Sequence, residues 1–312
     1  MVRGGTAPPD RPAILAPAAG PPPGRRRGVL PPQSTMLAAV AAVVATAAAQ
    51  PADAANEAAP PSSCSQRYHQ AFSLQPELTS IGASGRRALP NIALQHAWGL
   101  AENLAVVRGD ERYPAAIAVR YPKGSYVPSA KGAPRGGAGF HAPVLGVGVE
   151  AACLRYAVKF PAGFAFAKGG KLPGLYGGAA PTGCRTDEAD GFSLRYMWRG
   201  DGDGELYAYL PNREERCGES IARGAWRFPA GRWLILEQEV VLNRPGRADG
   251  AVQVWADGVR VLDRTDLALR QAGKTTVAGL MFSTFFGGND PSWASPSDQT
   301  VLFADFRLYK RN

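Results

Sequence analysis

From residue 115 onward, apolar and polar residues alternate in short runs, and most runs stop at Pro, Gly or Asp. Ala115–Tyr121 (AAIAVRY) ends at Pro122-Lys123-Gly124, and 154–160 (LRYAVKF) ends at Pro161-Ala162-Gly163. Runs at 192–198, 205–210 and 233–242 follow, then 252–255 and 259–262 around Ala256-Asp257-Gly258, then 277–286 and 301–309. A period of two sends successive side chains to opposite faces of a strand, and Asp-Gly between two such runs is a hairpin signal. Strands at this spacing, without a sustained helical period or an internal repeat, predict an all-β antiparallel sandwich. The 37 glycines and 27 prolines agree with many turns.

The N-terminal part reads differently. Residues 1–35 are rich in Pro, Gly and Arg, including Arg25-Arg26-Arg27, and are expected to be a disordered extension. Residues 36–49 (MLAAVAAVVATAAA) form an uncharged run of signal-peptide length, followed by small residues at Ala47-Ala48-Ala49 and Ala52-Asp53-Ala54. The run falls short of the about 20 residues of a membrane span. A signal peptide over 36–54 and secretion are therefore expected. An alanine-rich disordered tail, or a true start at Met36, are the competing readings. Residues 55–90 read as a linker and N-terminal extension, and 91–312 as one β domain that opens with a modest helical stretch around 92–104.

The formal charge is +9. Residues 1–60 hold five Arg and three acidic residues, which leaves 30 basic and 23 acidic groups, or +7, for the rest. A basic surface suits a polyanion. No Lys/Arg block, zinc-finger spacing or RNA-binding motif marks nucleic acid as that polyanion. Four cysteines, Cys64, Cys153, Cys184 and Cys217, are expected to pair in a secreted chain, and four allow three connectivities. No C-x-x-C suggests a zinc site.

The most informative segment is a hairpin. In 192–198 (FSLRYMW), Phe192, Leu194, Tyr196 and Trp198 share one face, and Ser193, Arg195 and Met197 the other. The turn 200–204 (GDGDG) leads to 205–210 (ELYAYL), where Leu206, Ala208 and Leu210 oppose Glu205, Tyr207 and Tyr209. A turn centred near Asp201 pairs Arg195 with Tyr207 and Ser193 with Tyr209, so both apolar faces coincide. A slip of one residue would turn one apolar set outward. Cys184 and Cys217 then fall nearly opposite each other beyond the open end, which favours a Cys184–Cys217 bridge and leaves Cys64–Cys153. Alternate tyrosines also occur on half-exposed sheets, and Arg beside Tyr can be simple stacking. Asp201, Asp203 and Glu205 suggest a calcium loop, but an EF-hand needs Gly and Glu where this chain has Leu206 and Asn212.

Upstream, 168–178 (KGGKLPGLYGG) reads as a glycine-rich loop without a P-loop ending. GGKLPGL, followed by Ser-x-Arg on a strand and Tyr-x-Tyr-Leu-Pro, resembles polysaccharide lyase family 14, which contains alginate and glucuronan lyases of algal viruses and marine molluscs. The resemblance covers roughly 115–310 and includes 121–126 (YPKGSY), 160–164 (FPAGF) and 283–288 (STFFGG). It implies a concanavalin A-like β-jelly roll of two curved antiparallel sheets. It also implies a cleft in which Lys171, Arg195, Tyr207 and Tyr209 are catalytic and Ser193, Arg195 and Lys171 bind substrate. The reaction implied is β-elimination on a 4-linked uronate glycan such as alginate or glucuronan.

Those residue types suit that chemistry. The proton at C5 of a uronate is barely acidic until the adjacent carboxylate is neutralised, and Arg195 could hold that carboxylate bidentately. Lys171 supplies a second cation or acts as base. Nearby cations favour an ionised phenol, so one tyrosine could take the C5 proton and the other protonate the leaving oxygen. Neither a metal nor an organic cofactor is expected, and the partner is an acidic polysaccharide acted on by a monomer with no stable membrane span. No G-x-S-x-G supports a serine hydrolase, and none of His69, His96 and His141 forms H-E-x-x-H. His141 either borders the cleft or is a plain loop histidine. Glu237 and Glu239 share a strand face, which keeps a two-carboxylate glycosidase as a minor alternative. The principal alternative is a non-catalytic carbohydrate-binding jelly roll, which would need aromatics but no cationic cluster.

Overall fold

The computed structural model describes residues 63–184, 190–211, 213 and 216–311; the expected extension over 1–35 and signal peptide over 36–54 lie outside them. In chain order the strands are β1 (His69–Leu74), β2 (Gln95–Trp98), β3 (Leu104–Arg108), β4 (Ala115–Tyr121), β5 (Ala138–Ala142), β6 (Ala151–Lys159), β7 (Gly169–Gly178), β8 (Gly191–Arg199), β9 (Gly204–Tyr209), β10 (Glu219–Ile221), β11 (Trp233–Val241), β12 (Gly250–Ala256), β13 (Val259–Leu267), β14 (Val277–Phe286) and β15 (Gln299–Lys310). They form two antiparallel sheets packed as a jelly roll. The back sheet runs β13-β12-β11-β6-β15-β4-β3, with β1 also on β15, and the front sheet runs β10-β9-β8-β7-β14-β5-β2. Among the described residues, no helix is long and apolar enough to cross a membrane.

Strand alternation builds the core. Leu154, Tyr156 and Val158 of β6 and Leu236 and Val240 of β11 face Phe192, Leu194, Tyr196 and Trp198 of β8, with Leu206 and Ala208 of β9. The hairpin has the expected register, Ser193 opposite Tyr209 and Arg195 opposite Tyr207. Its turn is possible because Asp201 adopts a left-handed φ of 59°. Asp257 (φ 48°) and Gly258 (φ 83°) turn β12 into β13 in the same way, as two-residue hairpins require.

Two expectations are corrected. The stretch 92–104 is not a helix. It gives β2 and the single helical turn Leu100–Asn103, because Gly99, at φ 66°, breaks the chain between them. The sandwich also begins before residue 91, since β1 pairs with β15 and Cys64 bridges to Cys153. Both expected disulfides form, with Cα separations of 5.7 Å for Cys64–Cys153 and 4.1 Å for Cys184–Cys217.

Candidate active site

The segment read as a glycine-rich loop is β7, a central strand of the front sheet. Its Pro173 sits at a bulge: Leu172 pairs with Tyr196 and Gly174 with Arg195, leaving Pro173 unpaired. Proline has no N–H to give the ladder, so a bulge is where a central strand tolerates it. The disturbed main chain is satisfied from the opposite sheet. Tyr156 donates its hydroxyl to the Pro173 carbonyl at 3.1 Å. The Gln238 side chain, fully buried on β11, accepts from Leu175 N–H at 2.8 Å and donates to the Leu194 carbonyl at 2.9 Å. Buried polar groups left unpaired would each cost about 1–3 kcal/mol, so these two side chains are needed where they are.

The bulge keeps Lys171 and Gly174 on the outer face of the sheet while Leu172 and Leu175 go to the core. Lys171 pairs with Met197 on one side and Phe285 on the other. Gly174 lies between Arg195 and Met281. Any Cβ at Gly174 would meet the Leu194 carbonyl oxygen at 1.8 Å, and the bare backbone lets Arg195 reach across β7 to Ser283 Oγ, 3.4 Å away.

The outcome is a cleft of about 1110 Å³ whose lining includes Lys171, Arg195, Met197, Arg199, Tyr207 and Tyr209. Four of the five anticipated residues meet there. The fifth, Ser193, shares their sheet face but does not line the cleft. It is fully buried and donates its hydroxyl to the Pro181 carbonyl at 2.6 Å, which ties down the segment leading to Cys184.

Lys171 is 7% exposed. Its Nζ lies 3.1 Å from the centroid of the Tyr207 ring and 2.7 Å from Met197 Sδ. Burial pulls its pKa well below the usual lysine range, and the Arg195 and Arg199 charges push the same way. Burial likewise lowers the pKa of Arg195, opposed by Tyr209 and Tyr207. Arg195 Nε has no hydrogen-bond partner among the described residues. For Tyr207, burial first, then the neighbouring Tyr209 phenol, push its pKa up to about 12, outweighing Arg195. Its phenol is therefore protonated at neutral pH. The Tyr207 and Tyr209 rings meet edge to face at 5.6 Å.

His141 proves to be a strand residue of β5 and lines the cleft. Its ring lies 4.9 Å from Tyr176 and 5.0 Å from His96. Burial, helped by His96 and Arg195, lowers its pKa to about 4, so it is uncharged at neutral pH. Arg199, Trp98 and Trp293 also line the cleft and were not anticipated. Arg199 could have been found by extending the odd-numbered face of β8 by one step. Trp293 follows no strand pattern.

The two carboxylates offered for a glycosidase are elsewhere. Glu237 and Glu239 sit on the outer face of β11 in the back sheet, engaged with Ser65 and Arg155 and with Arg67 and Tyr68 respectively. Cys64, Cys153 and Glu237 cluster there, but both sulfurs are committed to a disulfide.

The polysaccharide lyase 14 family model matches residues 110–306. Among solved structures, the marine PL-14 alginate lyase from Aplysia kurodai is 31% identical, with a TM-score of 0.65, over 78% of this chain and 99% of its own. The alginate lyase from Chlorella virus is 22% identical, with a TM-score of 0.62, over 78% and 100%. The endo-β-1,4-glucuronan lyase from the fungus Trichoderma reesei is 11% identical, with a TM-score of 0.52, over 78% and 96%. No curated protein sequence matches the chain.

Proposed function

From a chain that belongs to the polysaccharide lyase 14 family, we propose an enzyme that cleaves a 4-linked uronate glycan of the alginate or glucuronan type by β-elimination. The observation that carries this reading is the meeting of a buried lysine, a buried arginine and two phenols in one open cleft. Arg195 takes the carboxylate of the sugar at the point of cleavage, since its Nε is desolvated and unpaired. Neutralising that carboxylate offsets the second negative charge that develops when C5 loses its proton. Lys171, held with a lowered pKa, accepts the C5 proton as an uncharged amine. Tyr207 keeps its proton and gives it to the 4-linked oxygen as the C4–O bond breaks and C4 and C5 become doubly bonded. The Tyr209 hydroxyl, which interacts with Tyr207 and Arg195, orients the sugar. The separated roles follow from environments that push the two pKa values apart in the useful directions.

Two disulfides within the β domain favour an oxidising compartment, in keeping with secretion. Sequencing the N-terminus of secreted protein tests this, with Gln50 or Ala55 expected near the start. For the reaction, the purified chain is incubated with alginate and with glucuronan while ultraviolet absorbance of the unsaturated uronate is followed. Growth of that absorbance on either polymer is expected. Binding of uronates without any absorbance would replace the enzyme with a binding module.

A further inference from the structure

Resting on the reading that the cleft holds an acidic polysaccharide, we propose that Arg199 and Trp293 form a second uronate subsite. It takes the carboxylate and one ring face of a sugar further along the chain than the one at Arg195. Both arginines stand on the same face of β8, four residues and so about 13 Å apart along the strand. Their side chains diverge: Arg195 leans over β7 to Ser283, whereas Arg199 leans to Glu205 on β9. Two arginines spaced so along the strand, with side chains leaning to opposite neighbours, suit two different sugars.

Arg199 is built to offer an edge to an anion. Its Nη2 donates to Glu205 Oε1 at 2.6 Å, and Glu205, fully buried, also accepts from Ser220 Oγ at 2.5 Å. That carboxylate fixes one side of the guanidinium. The Arg199 Nε is buried and has no hydrogen-bond partner among the described residues. The guanidinium carbon lies 5.9 Å from the Tyr207 ring and 5.8 Å from the Trp293 ring, so two aromatic faces flank it.

Trp293 is held at the rim of the cleft. Its indole lies on the bare backbone of Gly288, where a Cβ would come within 2.0 Å of the ring. Asp290 accepts from Ser292 N–H at 2.9 Å, and Trp293 N–H donates to the Asp290 carbonyl at 3.2 Å. Lys168 Nζ, 5.9 Å from the indole centroid, adds positive charge. Beside Arg199 the Met197 side chain lines the cleft. Its Cε packs on Gly169 and Gly287, where a Cβ would come within 3.2 and 3.3 Å of it, and those glycines are joined by a 2.9 Å main-chain hydrogen bond. A thioether at the floor, an indole at the wall and a guanidinium with an unpaired Nε suit the apolar face and carboxylate of one sugar.

The test compares uronate tri- and pentasaccharides, by calorimetric affinity and by kcat/KM, on the unmutated protein, Trp293→Ala and Arg199→Lys. Arg199→Lys keeps a charge beside Glu205 but loses the planar fork. Trp293→Ala keeps both partners of the Arg199–Glu205 pair, so it reads the subsite even if the other variant folds poorly. The unmutated protein should favour the longer oligosaccharide, and each variant should lose about tenfold, or ~1.4 kcal/mol, of that advantage. Variants that keep the full length advantage would overturn the subsite alone. An unmutated protein that neither binds nor cleaves uronates would overturn the subsite together with the lyase reading.

Discussion

Buried charge occurs on both sheets of this sandwich, and the two clusters are treated in opposite ways. On the back sheet, every carboxylate has partners. Glu237 accepts from Ser65 N–H and Oγ and pairs with Arg155. Glu239 takes Arg67 and Tyr68. Asp305 takes Gln75, Arg155 and Arg307. On the front sheet, Lys171 has a ring and a thioether for neighbours, Arg195 keeps an unpaired Nε, and the Tyr176 hydroxyl has no partner among the described residues. A paired cluster of buried charge holds chain to chain, here the N-terminal segment to the sheet. An under-paired cluster is held in readiness for something that is not the protein, at a cost met by the rest of the fold.

The sharpest way to break this contrast is to exchange Lys171 for methionine, and Tyr207 for phenylalanine. Each should lower kcat by about 10²–10⁴-fold. Lys171→Met should also keep or raise the melting temperature, because an apolar residue of similar volume replaces a buried ionisable one. A variant that unfolds would make Lys171 a structural residue. The converse experiment is Arg155→Met on the back sheet, which takes one partner from Glu237 and one from Asp305 while Ser65, Gln75 and Arg307 remain. It should lower stability by about 1–3 kcal/mol in denaturant titration while the folded fraction keeps its kcat/KM. An equal loss of kcat/KM would erase the distinction.

Gln238→Leu joins the two regions. It should lower stability by about 1–3 kcal/mol, since the Leu175 N–H and Leu194 carbonyl lose their partner. It should also depress kcat, because those groups flank the bulge between Lys171 and Arg195. Unchanged kcat would show that β7 holds its bulge unaided. The mildest test is pH. If Lys171 is the base, activity should rise as pH climbs through its lowered pKa. Tyr207 should impose no alkaline loss until about pH 12. For stability the sign is the same: between the folded and unfolded pKa of Lys171 the unfolded chain binds the extra proton, so stability rises with pH. A profile with no acidic limb, or one unmoved in Lys171→Met, would remove Lys171 from the chemistry.

Much of the front sheet could be read from the chain itself. Period-two alternation on 192–198 and 205–210, with burial demanding coincident apolar faces, is enough to pair Arg195 with Tyr207 and Cys184 with Cys217. Strand β7 could not be read that way. Its glycines and Pro173 are what a loop contains, and only a bulge with partners from β11 and β6 makes them a strand. The sequence HQAFSL of β1 is equally silent, because an exposed strand pairing along β15 needs no apolar face. Nor does any local pattern announce that Ser193 turns its hydroxyl to Pro181, a contact twelve residues away.

The bulge at Pro173 also has a consequence in time. Its main-chain groups are answered by Tyr156 and Gln238, which belong to the other sheet. The β8–β9 hairpin can form early from local contacts, since its turn and register lie within one short stretch. Lys171 and Arg195 can take up their spacing only after the sheets have docked. The cleft should therefore be the last feature to mature during refolding, with catalytic competence lagging behind recovery of β-structure.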